Sequence, residues 1–174
     1  MDRLPRVSIT AGSHRLGPAD GTLTVRTGRT GAVAKAGHDL RLEVTRWEAT
    51  IDDGRIELTA DATSLRVREA TGGMTPLDDG DRANIETTID DEVLKRAPIV
   101  FRSTQVDGTH VQGDLTLLGR TAPVAFDVTL EGGMLTAAAT VKQTDFGIKP
   151  YSALFGALKV ADEVRVELEA RLSI

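Results

Sequence analysis

Cysteine is absent from this chain of 174 residues, and histidine is scarce, with only His14, His38 and His110. The lack of cysteine excludes disulfides and thiolate-bound metals, and it leaves the redox compartment open. The three histidines are far apart and lack the spacing with Asp or Glu that metal sites show. The sequence therefore predicts no metal site.

Long apolar runs are also absent. No stretch approaches the roughly 20 apolar residues that a transmembrane helix needs. The first residues, MDRLPRVSITAGSHRLG, lack the apolar core of a secretory signal. We therefore predict a cytoplasmic protein with no transmembrane segment.

An excess of basic charge is missing as well. Lys and Arg number 21 against 26 Asp and Glu, which gives a net charge of −5. A nucleic-acid groove needs a clustered basic face, so this balance predicts no nucleic-acid partner. The length suits one domain, which we place at residues 21–174. Residues 1–20 are expected to form an N-terminal arm or a short first strand at Val7 to Thr10.

The chain is rich in alternation of apolar and polar residues. Between Ile99 and Leu130 three alternating runs follow one another, with turn residues at Asp107-Gly108 and from Gly119 through Pro123. A period of two is typical of half-buried antiparallel strands. The segment is therefore predicted to be a β-meander, and its third run places one apolar row on one face: Val124, Phe126, Val128 and Leu130.

Other segments add strands and one helix. The apolar parity flips at Thr45-Arg46, which predicts a β-bulge, and Arg55 to Val67 reads as one long strand. Glu163 to Leu172 alternates regularly. Asp81 to Ala97 carries a helical period through Ile85, Ile89 and Leu94. We therefore predict a helical insertion at about 79–97, with Asp78 or Asp79 as the cap.

Several segments resemble a known family. They are FRST at 101–104, GDLTL at 113–117 with Gly119, and Pro123-Val124. In this order they resemble the YceI family of bacterial lipid-binding, lipocalin-like barrels. The pieces GHDL at 37–40 followed by Trp47, and QTDFGIKPY at 143–151 followed by GALKV at 156–160, resemble a cytosolic subgroup of that family.

The resemblance implies the fold and the ligand. It implies an all-β protein with one short helical segment, an antiparallel lipocalin-like barrel of about eight strands with helical turns at its mouth. Its elongated apolar interior would hold a polyisoprenoid or quinone-like chain, with no other cofactor and no catalysis. The chain departs from many YceI relatives, which carry a signal peptide.

An aromatic cluster points to one region of the barrel. Phe146, Tyr151 and Phe155 fall within ten residues, together with Ile148 and Leu154. They could wall a cavity mouth or plug a dry core, and both interpretations stay open. Predicted inward positions elsewhere are small, which favours a cavity: Ala60, Ala62, Gly113, Ala137 and Ala139. Lys149 and Lys159 flank the cluster and could meet a polar head group.

We therefore predict a ligand cavity and name its lining. The predicted lining residues are Leu42, Trp47, Leu58, Phe101, Leu115, Leu117, Phe126, Val128, Phe146, Ile148, Tyr151, Leu154 and Phe155. Two alternatives remain. One is a hydrolase acting on a hydrophobic substrate through His38 with Asp39 or Asp145, although neighbouring strand residues point to opposite faces. The other is a filled barrel that binds another protein, and a homodimer is left open.

Overall fold

The chain folds as an all-β protein with one short α-helix, which confirms the predicted fold class. The computed structural model describes residues 12–30, 38–72, 76–153 and 158–172. The predicted strand at Val7 to Thr10 lies outside these residues, as do Leu154 and Phe155.

Fourteen strands are formed within the described residues. They are β1 (Ser13–Leu16), β2 (Gly21–Arg26), β3 (Arg29–Thr30), β4 (Asp39–Val44), β5 (Trp47–Asp52), β6 (Arg55–Ala60), β7 (Leu65–Thr71), β8 (Ile99–Asp107), β9 (His110–Leu117), β10 (Arg120–Glu131), β11 (Met134–Lys142), β12 (Ser152–Ala153), β13 (Leu158–Val160) and β14 (Glu163–Arg171).

The main sheet is antiparallel and curls into a barrel. Its strand order is β1-β5-β6-β8-β9-β10-β11-β14-β2-β4-β7. β1 continues through residues 17–20 into β2, β4 through Thr45-Arg46 into β5, and β6 through residues 61–64 into β7. The three strands at one end of this order and the three at the other end are therefore halves of the same three long bent strands. A second, small sheet joins β12, β13 and β3.

The main sheet has eleven strands, not the eight or so that were predicted. Three long strands are each broken once, between β1 and β2, β4 and β5, and β6 and β7. A strand that wraps around a small barrel must bend, and a local break in its ladder allows this. The break at Thr45-Arg46 coincides with the predicted parity flip: Leu42 and Val44 are buried before it, and Trp47, Ala49 and Ile51 after it.

The predicted single strand from Arg55 to Val67 is wrong in its middle. A 3₁₀ turn at Ala62–Ser64 separates β6 from β7. The Asp61 carboxylate accepts hydrogen bonds from Thr63 N at 2.8 Å and from Thr63 Oγ1 at 2.6 Å. Such local side-chain bonds compete with the strand ladder.

The predicted turn from Gly119 through Pro123 is also too long. The turn is Leu118-Gly119, both with positive φ, and Pro123 lies inside β10 opposite Asp114. β11 pairs with β10 only from Asp127 onward. Pro123 therefore has a neighbouring strand on one side only, which is where a residue without an N–H is tolerated.

The two ends of the barrel differ in their connections. The hairpin end carries short turns at Asp53-Gly54, 108–109 and Gly132-Gly133. Asp53 and Gly54 both have positive φ, as a two-residue hairpin turn requires. The loop end carries the long connections, which hold the helix, a 3₁₀ turn at Gln143–Phe146 and the small sheet.

The helix lies in the connection between β7 and β8 at the loop end. Helix α1 (Asp79–Thr88) continues as a π-helical turn, Ile89–Val93, and so ends before the predicted residue 97. Asp78 is its N-cap and forms a capping box with Asp81. Glu86 Oε1 accepts a hydrogen bond from Val67 N at 3.1 Å, which ties the helix to β7. Within the described residues no helix is both long and apolar enough to cross a membrane.

Candidate functional site

A large apolar cavity fills the interior of the barrel. Its volume is about 490 Å³, within the range of about 300–1,000 Å³ that is usual for small-molecule sites. Residues of the main-sheet strands line it, together with the helical segment and, at the loop end, Gln143, Ile148, Tyr151 and Val160. The cavity therefore runs along the barrel, and the helical segment lies over its loop end.

Nine of the predicted lining residues lie on the cavity wall. They are Leu42, Leu58, Phe101, Leu115, Leu117, Phe126, Val128, Ile148 and Tyr151. The rings of Phe101 and Phe126 are tilted against each other with their centroids 5.5 Å apart, a favourable aromatic arrangement. Tyr151 is 47 % exposed at the loop end. Contact of these side chains with a ligand stays a prediction.

Two predicted lining residues lie in the packed core beside the cavity and not on its wall. Trp47 is buried in the main core, directly after the break between β4 and β5. Phe146 is 2 % exposed and packs with Leu117, Val141 and Ile148 in a second cluster. Phe146 therefore fits the core-plug interpretation of the aromatic cluster, whereas Tyr151 and Ile148 fit the cavity-wall interpretation.

The small residues divide in a similar way. Ala60, Ala137 and Ala139 line the cavity, as their inward parity predicted. Ala62 is buried in the 3₁₀ turn and does not line it. The Phe101 ring occupies the space beside Gly113, because a Cβ built at Gly113 would lie 2.5 Å from that ring. The absent side chain at Gly113 thus gives space to Phe101 and not to a ligand.

The sequence prediction left out the lining residues of the helical segment. The helical segment lines the cavity at the loop end of the barrel with four apolar side chains: Ile85, Ile89, Val93 and Leu94. Ile85, Ile89 and Leu94 are the residues whose spacing indicated a helix, so the signal for this lining was present in the sequence. The periodicity indicates a helix, but it does not indicate the surface against which that helix packs.

The polar residues of the cavity wall lie at its loop end. Thr27, Asn84, Thr88 and Gln143 belong to the connections there, while the strands below them present aliphatic and aromatic side chains. The site can therefore take a molecule with a long apolar part inside the barrel and a polar group near the loop end. Gln143 was not among the predicted lining residues, although it continues the inward row of Ala137, Ala139 and Val141.

The turn that carries Gln143 is fixed by Asp162. Its carboxylate accepts hydrogen bonds from Thr144 Oγ1 at 2.6 Å and from Thr144 N at 2.9 Å. These bonds hold the pKa of Asp162 below its usual value, and the bond from the Thr144 hydroxyl has the largest effect. Asp162 is therefore an anionic cap on the 3₁₀ turn at neutral pH.

The candidate catalytic residues do not form one site around the cavity. Asp39 Oδ1 pairs with Arg29 Nε at 3.1 Å, and Asp145 is exposed on the 3₁₀ turn. Neither these two residues nor His38 lines the cavity. His110 and Asp127 form a pair at 2.9 Å that the sequence analysis missed, but both side chains are exposed on the outer face of the barrel. Among the described residues no group of His, Asp and Glu is arranged to hold a metal ion.

Two lysines flank the aromatic cluster. Lys149 is exposed, and the described part of the cavity wall does not include it. Lys159 lies in β13, where it pairs with Ser152 and Thr30. Their role toward a head group stays a prediction.

Comparison with known proteins places the chain in a family. No curated protein matches it. Among solved structures it is similar to the crystal structure of Burkholderia cenocepacia BcnA, with a TM-score of 0.54 and 15% identity over 90% of this chain and 98% of that one. At this identity the likeness concerns the fold alone. The family model of the YceI-like domain matches residues 14–172, nearly the whole described barrel, and the chain therefore belongs to the YceI-like domain family.

Proposed function

We propose that the barrel binds a long apolar molecule, a polyisoprenoid, quinone or similar lipid, and that it has no catalytic activity of its own. The observation that carries this proposal is the cavity of about 490 Å³ with its wall of aliphatic and aromatic side chains. An empty apolar cavity of this size is costly, since the lining side chains lose packing partners. A lipid chain would restore those contacts.

The shape of the wall supports a chain-like ligand. Lining residues extend from Leu16 and Ile51 near the hairpin end to Tyr151 and Val160 at the loop end. The family and the fold agree with such a role. The ligand's identity, the cytoplasmic location and the absence of catalysis stay predictions from the sequence.

The test is mass spectrometry of an organic extract of the purified protein, with one variant that fills the cavity. Ala139 lines the cavity opposite Val166, so Ala139→Phe places a ring in the space that the ligand would occupy. Ala125 lies on the outer face of β10, and Ala125→Phe is the matched control. We expect an apolar ligand to co-purify with the wild type and with Ala125→Phe, and to be lost from Ala139→Phe.

Two results would contradict the proposal. One is an extract without any apolar ligand from a wild-type protein that also fails to bind added isoprenoids. The other is a folded Ala139→Phe variant that retains as much ligand as the wild type, since this would place the lipid outside the barrel.

A further inference from the structure

Gln143 is a polar side chain in an apolar wall. It is only 8 % exposed and lines the cavity at the loop end. It follows β11, and the inward row of that strand is Leu135, Ala137, Ala139 and Val141. The apolar row therefore ends in the carboxamide of Gln143. Val141 precedes it in the row, and Ala139 and Ala137 precede Val141.

The orientation of this carboxamide is fixed by its neighbours. Gln143 Nε2 donates a hydrogen bond to the Ala161 carbonyl oxygen at 3.0 Å. A carbonyl can only accept, so the amide nitrogen and not the amide oxygen must face Ala161. The backbone is held as well: Gln143 N donates to Asp162 O at 2.9 Å, and Gln143 O accepts from Ile148 N at 3.1 Å.

This arrangement leaves the amide oxygen uncommitted. Oε1 of Gln143 has no hydrogen-bond partner among the described residues. The two threonine hydroxyls on the same part of the wall each have a hydrogen-bond partner in the backbone. Thr27 Oγ1 accepts from Leu40 N at 3.2 Å, and Thr88 Oγ1 donates to Asn84 O at 2.9 Å. An acceptor that has no donor in the described part of the protein, on a cavity wall that is otherwise mostly apolar, is available to a donor on the ligand.

We infer that Gln143 selects ligands whose polar end carries a hydroxyl, so that the preferred occupant is a long-chain isoprenoid alcohol or quinol. The inference rests on the proposed function and specifies the ligand class. An O–H group would donate to Gln143 Oε1. A methyl ether or a quinone carbonyl offers only an acceptor, and a phosphate would bring negative charge against the negative end of the amide dipole.

The experiment compares geranylgeraniol, its methyl ether and geranylgeranyl monophosphate by displacement of a fluorescent isoprenoid from the delipidated protein. The variant Gln143→Leu removes the acceptor, and Gln143→Met removes it with a side chain of similar length. Gln112→Leu, on the outer face of β9, is the matched control. The ratio of alcohol to ether affinity is the readout, because it cancels effects of folding and of general hydrophobicity.

We expect the wild type and Gln112→Leu to prefer the alcohol. In Gln143→Leu and Gln143→Met the alcohol-to-ether ratio should fall by about threefold to tenfold, the usual range for one hydrogen bond. An unchanged ratio in both variants would overturn the inference, as would tighter binding of the monophosphate than of the alcohol by the wild type. Failure of the wild type to bind any of the three compounds would refute the proposed function itself.

Discussion

At the scale of single residues, similar side chains have different roles because of small differences in position. Phe146 and Tyr151 are five residues apart in the same aromatic cluster, yet Phe146 is 2 % exposed in a packed cluster and Tyr151 is 47 % exposed at the cavity. The 3₁₀ turn at Gln143–Phe146 turns Phe146 inward against Val141 and Ile148. Composition marks both as a cluster but cannot separate the two roles.

Alanine substitutions should separate them. Phe146→Ala should lower the free energy of unfolding by about 3–5 kcal/mol, because it opens a void in a packed region. Tyr151→Ala should cost less than about 1 kcal/mol and weaken isoprenoid binding, since its ring already faces the cavity and solvent. Urea denaturation of the delipidated proteins and fluorescent isoprenoid binding measure the two effects. Equal stability losses would show that both rings are core.

Gly113 gives a second prediction at this scale. A Cβ at this position would lie 2.5 Å from the Arg102 carbonyl oxygen and 2.5 Å from the Phe101 ring. Gly113→Ala should therefore destabilise the barrel by about 1–3 kcal/mol through overpacking. Adding Phe101→Leu should recover only part of this loss, because the clash with the backbone oxygen remains. Denaturation midpoints of the two variants check this, and a neutral Gly113→Ala would show that β8 and β9 can separate locally.

At the scale of elements, the sequence predicted strands well and their interruptions less well. Alternation located β8, β9, β10 and β14, and the parity flip located the bend at Thr45-Arg46. The turn at 62–64 was missed because Ala60 and Ala62 continue the apolar alternation through it. Its cause is local hydrogen bonding by Asp61, Thr63 and Ser64, which a pattern of polarity does not reveal.

The two bends are joined, which explains why both occur at one level of the barrel. Thr45 N donates to Ser64 O at 2.8 Å, and Asp61 N donates to Arg46 O at 3.0 Å. The ladder between the two long bent strands thus continues across the break. Asp61 is therefore expected to contribute to the barrel's bend as well as to its own turn.

The stability of this bend should depend on pH. Hydrogen bonds donated by Thr63 to the Asp61 carboxylate, first from the Thr63 hydroxyl and then from its backbone N–H, hold the pKa of Asp61 below its usual value. The carboxylate therefore stabilises the folded state above that usual value, and the stabilisation is lost as the pH falls through the lowered pKa. The loss should be about 0.5 kcal/mol, because the side chain is 42% exposed. Urea midpoints measured from neutral to acid pH should show this loss relative to Asp61→Asn, and parallel curves for the two proteins would contradict it.

At the scale of the whole molecule, the barrel is closed by long-range pairing that alternation alone does not specify. β14 pairs with β2 across more than a hundred residues of sequence, as in Arg165 opposite Arg26. The family resemblance, and not the periodicity, predicted this closure. The cavity depends on it, because Val166 of β14 and Val25 of β2 face one interior.

The polar end of the cavity was beyond sequence reasoning for a related reason. Gln143 and Ala161 are brought together by the pairing of β11 with β14 and by the return of the chain through the loop end. The inward parity of β11 reaches Gln143, but the hydrogen bond that orients its amide depends on residues eighteen positions away. The sequence could therefore predict an apolar interior, and it named Lys149 and Lys159 as candidates for a polar head group, but it did not indicate Gln143.

The stability of the barrel should depend on whether a ligand occupies its cavity. An apolar molecule that binds only the folded barrel stabilises it by mass action, by about 2.7 kcal/mol at a free concentration of one hundred times Kd. Urea denaturation of the delipidated protein should shift to higher midpoints when geranylgeraniol is added. Ala139→Phe should raise the midpoint without ligand, since its ring fills part of the cavity of about 490 Å³, and should remove the shift on addition. Ala125→Phe, outside the barrel, should behave as the wild type, and a ligand-induced shift of equal size in Ala139→Phe would place the binding site away from the cavity.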